Sequence, residues 1–317
     1  GKPRGTAPAE LLTSVTVSGD TLTWARDRLD GAPGYRLSVR IVRGRWDGRS
    51  IVAGTDGRVM LAITAVSGET PLTPVPIAGL LTAQANADAG ARRALEFLSY
   101  REKFLAGSWR FNTYFGRDTL MSVRLLMPVL QPAAVETGLS SVLERLSDKG
   151  QVAHEEDIGE FAILDHMKAD GSKSDAPTYN YNMIDGDFML APVARAWLID
   201  DPRGRARAAA FLAQRHGQER AGDALMRNLR YVLRRAQPFA QNPAPANLIS
   251  LNPGMDAGEW RDSNDGLGGG RFPYDVNAIF VPAALDAAAA MSRTGLLAPY
   301  MTPDDREAFA RLPDIEA

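Results

Sequence analysis

The 317-residue chain is long enough for two domains or one large one, and its 45% hydrophobic content is ordinary for a protein with a packed core. Its formal net charge of −2 argues against a general nucleic-acid or membrane-surface binder, and no apolar run approaches the ~20 residues that span a bilayer. Cysteine is absent, which excludes disulfides, thiolate catalysis and cysteine-bound metals, and the three histidines form no HExxH pair. We expect no cofactor, metal, nucleic acid or membrane partner, and the compartment stays open between cytoplasmic and exported.

The N-terminal part of the chain reads as strands. Alternation of apolar and polar residues, with Gly and Asp clusters between the segments, predicts an antiparallel β domain of about five strands, part of a sandwich. The clearest alternating segments are 14–18, 35–42 and 59–66. Prolines in 67–78 predict a linker. We therefore divide the chain into an N-terminal β domain with its linker, 1–78, and a helical domain, 79–317.

From about residue 84 the hydrophobic period becomes helical, so the fold class is mainly α. Helices are predicted at about 91–107, 120–130, 133–146, 183–199, 205–235 (one or two), 276–291 and 303–311. Three long polar connections rich in aromatic residues lie between them, at 107–118, 150–182 and 241–275. Long connections without secondary structure are uncommon in compact domains and usually functional, so all three are candidate site loops.

The first candidate loop ends in Phe115-Gly116-Arg117-Asp118 at the start of a predicted helix. An adjacent Arg and Asp can donate and accept hydrogen bonds toward vicinal hydroxyls, and aromatic residues such as Tyr114 beside them favour a sugar platform. The alternative is that Asp118 only caps the helix.

The second loop carries four carboxylates in 155–160. In the functional interpretation Glu155 or Glu156 binds substrate hydroxyls, whereas the alternatives are a solvated acidic turn or a cation site. Asp185 follows the Tyr179-Asn180-Tyr181-Asn182 segment and begins an otherwise apolar helix. It is a candidate substrate ligand, or alternatively a helix cap.

The third loop places Trp260 two residues before Asp262, which suits a sugar ring stacked on indole with an acid beside its glycosidic oxygen. The alternative is a core tryptophan surrounded by Asp turns. A glycine run before Arg271 is a weak candidate anion cradle, and Asp262 to Gly266 misses the calcium-loop spacing by one residue.

Taken in order, four blocks resemble the (α/α)6-barrel glycoside hydrolases, in particular the glucosidase domain of glycogen-debranching enzymes and its glucoamylase-like and trehalase-like relatives. The blocks are 115–118, 150–156, 181–185 and 259–278. In that family the last block reads roughly Thr-Trp-Met-Asp-Ala, then a Pro, then Glu-Val/Ile-Asn-Ala. Here it stands as Glu-Trp-Arg-Asp-Ser, then Pro273, then Asp-Val-Asn-Ala. The resemblance spans residues 84–291.

The resemblance implies an (α/α)6 toroid and inverting hydrolysis of an α-glucosidic or similar bond in an oligo- or polysaccharide. Asp262 matches the general acid, Arg117 and Asp118 match residues that hold the terminal sugar, and Trp260 would line the pocket. The family's base is a Glu late in the barrel, after about ten helices. This chain supplies six or seven, so we expect a fragment, a second chain that carries the remainder, or a base among Glu155, Glu156 and Glu160.

Two other functions stay open. A sugar phosphorylase on the same barrel would use phosphate in place of base-activated water, which would explain the missing base and the glycine run. A non-catalytic carbohydrate-binding protein would have kept the barrel and lost the base.

Overall fold

The computed structural model describes residues 12–107, 111–261 and 265–312. The chain divides into two compact units, Gly1–Pro71 with Asp157–Thr178, and Leu72–Glu156 with Tyr179–Ala317. The first unit is therefore built from two separate segments. Its second segment lies in the connection that the sequence analysis assigned to the helical domain.

The protein is mainly α, with small antiparallel sheets towards the N-terminus, as the sequence predicts at this level. The strands are β1 Thr16–Ser18, β2 Thr21–Arg26, β3 Tyr35–Arg43, β4 Arg45–Trp46, β5 Ile51–Val52, β6 Met60–Ser67, β7 Glu155–Asp157, β8 Thr178–Asn180, β9 Arg215–His216 and β10 Glu219–Arg220. The helices are α1 Ile77–Leu80, α2 Ala89–Phe97, α3 Gly116–Leu126, α4 Pro132–Leu143, α5 Glu160–Ala169, α6 Asp185–Arg195, α7 Pro202–Arg205, α8 Ala208–Ala213, α9 Ala221–Gln241, α10 Val281–Arg293 and α11 Pro303–Ala310.

The first unit contains a four-stranded antiparallel sheet in the order β1-β2-β3-β6, with β4 and β5 as a separate hairpin. Ser18 pairs with Thr21 across a two-residue turn, and Gly19 takes the φ of 56° that such a tight turn needs. Leu22 and Ile41 are the buried side chains of the sheet. Helix α5 also belongs to this unit and begins after Gly159, within a segment predicted to be loop.

In the second unit, local sequence signals set several helix ends. Asp88 caps α2, Pro132 opens α4 at its first turn, and Thr302 with Asp305 forms a capping box on α11. Helix α2 ends at Phe97, well before the predicted end near Gly107. The chain then turns back on itself, because Ser99 and Phe104 form an antiparallel bridge.

Helix α6 lies at the centre of the second unit and packs against α3, α9 and α10. Nearly all its residues are buried, and the buried Trp197 follows in a short π-helical segment, Ala196–Asp200. Burial on every face explains why α6 carries an almost continuous apolar sequence after its first turn. Among the residues that the structure describes, no helix combines the length and apolar character needed to cross a membrane.

Candidate functional site

Main-chain hydrogen bonds connect those parts of the candidate loops that lie in the second unit with one another and with the start of α6. The N–H of Gly116 donates to the carbonyl of His154 at 3.0 Å, and the N–H of His154 donates to that of Asn180 at 2.7 Å. The N–H of Ile184 donates to the carbonyl of Gly258 at 2.6 Å. The amino end of α3 therefore meets the second loop, and the amino end of α6 meets the loop that precedes Trp260.

Gly116 is required by this close approach. A Cβ at this position would overlap the carbonyl oxygen of Ala153 and lie 2.7 Å from Cγ1 of Val152. The Phe-Gly-Arg-Asp sequence therefore uses its glycine to seat α3 against the second loop, which fixes where Arg117 emerges.

Arg117 and Asp185 form an ion pair between the first turns of α3 and α6, with Nη1 to Oδ2 at 2.7 Å. The side chain of Asp185 is only 1% exposed, and its Oδ1 accepts from the N–H of Gly186 at 2.8 Å. Asp118 is half-buried in the first turn of α3. Phe115 and Ile184, not the two acids, hold the N-cap positions of α3 and α6. The capping alternative is therefore wrong for Asp118, whereas Asp185 does accept one first-turn N–H, that of Gly186.

Two residues predicted to bind substrate lie in the core instead, which corrects the sequence interpretation. Glu156 is buried, and its two carboxylate oxygens bind Lys103 and, at 2.9 Å, Nε of Arg145. Tyr114 is completely buried, with the Arg145 guanidinium 4.8 Å from its ring centroid. Because both side chains are buried, neither can reach a ligand at the surface. Glu155 is half-buried in β7 and bridges Phe115.

Of the glutamates considered as a base, Glu160 belongs to the first unit. It forms a two-point ion pair with Arg26, and its Oε1 also accepts from the N–H of Leu29 at 3.1 Å. The bonds from Arg26 hold the pKa of Glu160 below its ordinary value. Glu160 is therefore engaged as a structural carboxylate, as Glu156 is in the second unit.

Glu259 is a buried acid that the sequence analysis left unassigned. Its side chain is 1% exposed, and within the described segments neither carboxylate oxygen has a hydrogen-bond partner. Burial raises its pKa, and the charges of Asp275 and Asp185 raise it further. The N–H of Arg261 does not reach hydrogen-bond geometry, but it and the charge of Arg261 lower the pKa of Glu259 in part. Asp262, the predicted general acid, lies outside the residues that the structure describes.

Two more acids, Asp275 and Asp187, lie at the starts of helical segments. Asp275 is half-buried just before a π-helical segment, Val276–Phe280, that leads into α10, and its Oδ2 is buried and without a partner among the described residues. Asp187 is fully buried in the first turn of α6, where its Oδ1 accepts from the N–H of Val152 at 2.7 Å. Burial raises the pKa of Asp187 well above its ordinary value.

Exposed aromatic residues are sequence neighbours of Glu259 and Asp275 in the third loop. Trp260 is 58% exposed, with the Arg261 guanidinium 5.5 Å from its ring centroid, and Tyr274 is 80% exposed. The core alternative for Trp260 is therefore wrong. Large exposed aromatic side chains beside buried carboxylic acids suit a ligand with both an apolar face and hydroxyl groups.

Two other polar side chains, those of Arg271 and Asn277, bind the backbone. Arg271 donates to the carbonyl oxygens of Leu251 at 2.9 Å and Asn252 at 3.0 Å, so its guanidinium organises the backbone. The amide of Asn277 both donates to and accepts from the backbone of Ile249 at 2.8 Å. Across the described part of the chain, no group of three or more His, Asp or Glu side chains is placed to hold a metal ion.

Sequence reasoning missed Glu259 and Asp275 as site residues. Their signals were present, because Glu259 directly precedes Trp260 and Asp275 opens the last long helical segment. Comparison with known proteins adds no assignment to this geometry: no family model, curated protein or solved structure matches the chain.

Proposed function

We propose that the chain is an inverting glycoside hydrolase that cleaves a glucosidic bond, of α configuration, in an oligo- or polysaccharide. The proposal includes an (α/α)6 toroid preceded by a small β-sandwich-like domain. One observation carries it: the buried Glu259 lies within electrostatic reach of Asp185 and Asp275, Asp185 is paired with Arg117, and the exposed Trp260 directly follows Glu259.

The chemistry of these groups fits a sugar. A guanidinium donates several hydrogen bonds in a plane and a carboxylate accepts them, which matches two neighbouring hydroxyls on a pyranose. Asp118 lies one residue after Arg117 and adds a third polar group at the same helix end. The exposed faces of Trp260 and Tyr274 offer apolar surface to the C–H side of the ring.

In the proposed mechanism Asp262 protonates the glycosidic oxygen while a carboxylate base activates water on the opposite face of the sugar. An inverting site holds its two carboxyl groups roughly 6.5–9.5 Å apart, and the acid must keep its proton near neutral pH. Glu156 and Glu160 are engaged in ion pairs, so the proposal takes neither as the base.

Substitution of Asp262 by Asn tests the proposal in the full-length protein. We expect release of reducing sugar from maltose, isomaltose, trehalose or soluble starch to fall by about 10²-fold or more in Asp262→Asn, because proton transfer is lost. Asp265→Asn, an exposed position in the same loop, is the matched control and should keep full activity. Equal activity of both variants and the native protein would remove Asp262 from its role.

The same assay separates the alternatives. Turnover that requires inorganic phosphate would indicate a phosphorylase. The Arg271 guanidinium, which follows the glycine run, already donates hydrogen bonds to backbone carbonyls. Sugar binding with no cleavage of any substrate would indicate a non-catalytic carbohydrate-binding protein.

A further inference from the structure

A main-chain hydrogen bond at Gly258, the residue before Glu259, restrains the backbone next to Glu259. The carbonyl of Gly258 accepts from the N–H of Ile184 at 2.6 Å, immediately before α6 begins. A Cβ on Gly258 would lie 3.1 Å from the Leu251 side chain, so little room exists for this segment to move. Glu259 is thereby fixed beneath the loop while the next residue, Trp260, faces solvent.

The surroundings of Glu259 favour its neutral form. A buried carboxylate without a hydrogen-bond partner is costly, and the nearby carboxyl groups of Asp275 and Asp185 add repulsion. The charge of Arg261 acts in the opposite direction and favours the ionised form. Its guanidinium lies over the Trp260 ring, 5.5 Å from the centroid.

We propose that Glu259 is a positioning residue: as a neutral acid it supports the Arg117–Asp185 pair, and loss of its proton weakens sugar binding at the site. An ionised Glu259 places a further negative charge beside Asp185 and attracts Arg261 away from Trp260. Loss of the Glu259 proton therefore affects both the Arg117–Asp185 pair and the contact between Arg261 and Trp260. The identity of the ligand as a sugar rests on the function proposed above.

The test compares sugar affinity across pH for two matched amide variants. Glu259→Gln stays neutral at every pH, and Glu307→Gln changes an exposed glutamate of α11. Binding of glucose and of maltose to the full-length proteins is measured by calorimetry between about pH 5.5 and 9, a range that covers a carboxyl pKa raised by burial.

We expect the native protein and Glu307→Gln to lose affinity by about fivefold or more as the pH rises, and Glu259→Gln to keep a flat profile. At the acid end, Glu259→Gln should bind within about threefold of the native protein, because the amide preserves the neutral shape. A native profile that is flat, or a Glu259→Gln profile that falls like the native one, overturns the proposal.

A second measurement does not depend on sugar. The free energy of unfolding of the native protein should fall more steeply with rising pH than that of Glu259→Gln, since only the native protein gives up the proton of Glu259. If the free energy of unfolding changes equally with pH in these two proteins, Glu259 is not a neutral acid in the fold, and the proposal is overturned. If neither sugar binds while the slopes differ, the proposed function fails for these sugars and the effect on affinity fails with it, but the neutral acid stands.

Discussion

Arg117 and Asp185 join the amino ends of α3 and α6 through a 2.7 Å ion pair, although 67 residues of chain separate them. The Asp185 side chain is almost fully buried, whereas the Arg117 side chain is 17% exposed. The pair therefore joins a carboxylate in the core to an arginine that lies nearer the surface. The proposed function uses this pair to hold sugar hydroxyl groups.

Arg117→Ala should destabilise the protein by about 3 kcal/mol, because it leaves the buried charge of Asp185 without its partner. Urea unfolding measures the effect. Arg124→Ala, at an exposed position of the same helix, is the control and should change stability by about 0.5 kcal/mol or less. Equal stability of the two variants would contradict a structural role for the pair.

Asp187→Asn should remove part of the pH dependence of stability. The folded-state pKa of Asp187 is raised, so the native protein binds this proton more tightly than the unfolded chain. The associated stability is present at low pH and is lost as pH rises from about 4 through the folded-state pKa, with a slope of up to about 1.4 kcal/mol per pH unit.

Urea unfolding at a series of pH values checks the Asp187 prediction. The variant should show a shallower decline than the native protein, and Asp304→Asn, in the first turn of α11, should match the native decline. A variant profile as steep as that of the native protein would mean that Asp187 is ionised in the fold.

Gly116→Ala should cost about 1–3 kcal/mol of stability, because the added methyl meets the backbone of Ala153 and the side chain of Val152. Gly79→Ala is the control, since its Cβ would meet only ordinary contacts at 3.7 Å or more, and it should be neutral or slightly stabilising. Thermal unfolding of both variants decides the matter. A Gly116→Ala protein as stable as Gly79→Ala would show that α3 is not seated as described.

Trp260→Ala should weaken sugar binding by about fivefold or more, the equivalent of about 1 kcal/mol of lost aromatic contact. Stability should change little, because the ring is already 58% exposed. Phe97→Ala removes a similarly exposed ring at the end of α2 and should leave affinity unchanged. Affinity can be read by calorimetry with maltose, and equal losses in the two variants would deny Trp260 a specific role.

The sequence predicted the three loops but not the contacts within them. Their length, aromatic content and polarity marked them as functional candidates, whereas the main-chain bonds at Gly116, His154 and Gly258 were not predicted. The start of α3 was predicted near residue 120, yet the helix begins at Gly116 because tertiary contact with the second loop extends it. That shift of one turn decides that Asp118 is not a cap.

The fate of individual acids was beyond sequence reasoning, because it depends on partners far away in the chain. Glu156 looked like one carboxylate of an exposed acidic turn, but Lys103, 53 residues earlier, neutralises it in the core. Nothing in the sequence favoured Glu259 over Asp262. The raised pKa of Glu259 depends on burial and on the charges of Asp275 and Asp185, which only the folded structure brings near. Helix α5 was missed because its apolar residues stand mainly in one short run, 161–164, and do not repeat with a helical period.

The most direct measurement of the central claim is the anomeric form of the first sugar released. The full-length protein is incubated with an α-linked gluco-oligosaccharide in phosphate-free buffer and followed by proton NMR before mutarotation proceeds. An inverting hydrolase delivers water to the face opposite the leaving group, so the account predicts β-glucose as the initial product. Initial release of α-glucose, or no release from any α-linked substrate, would contradict it.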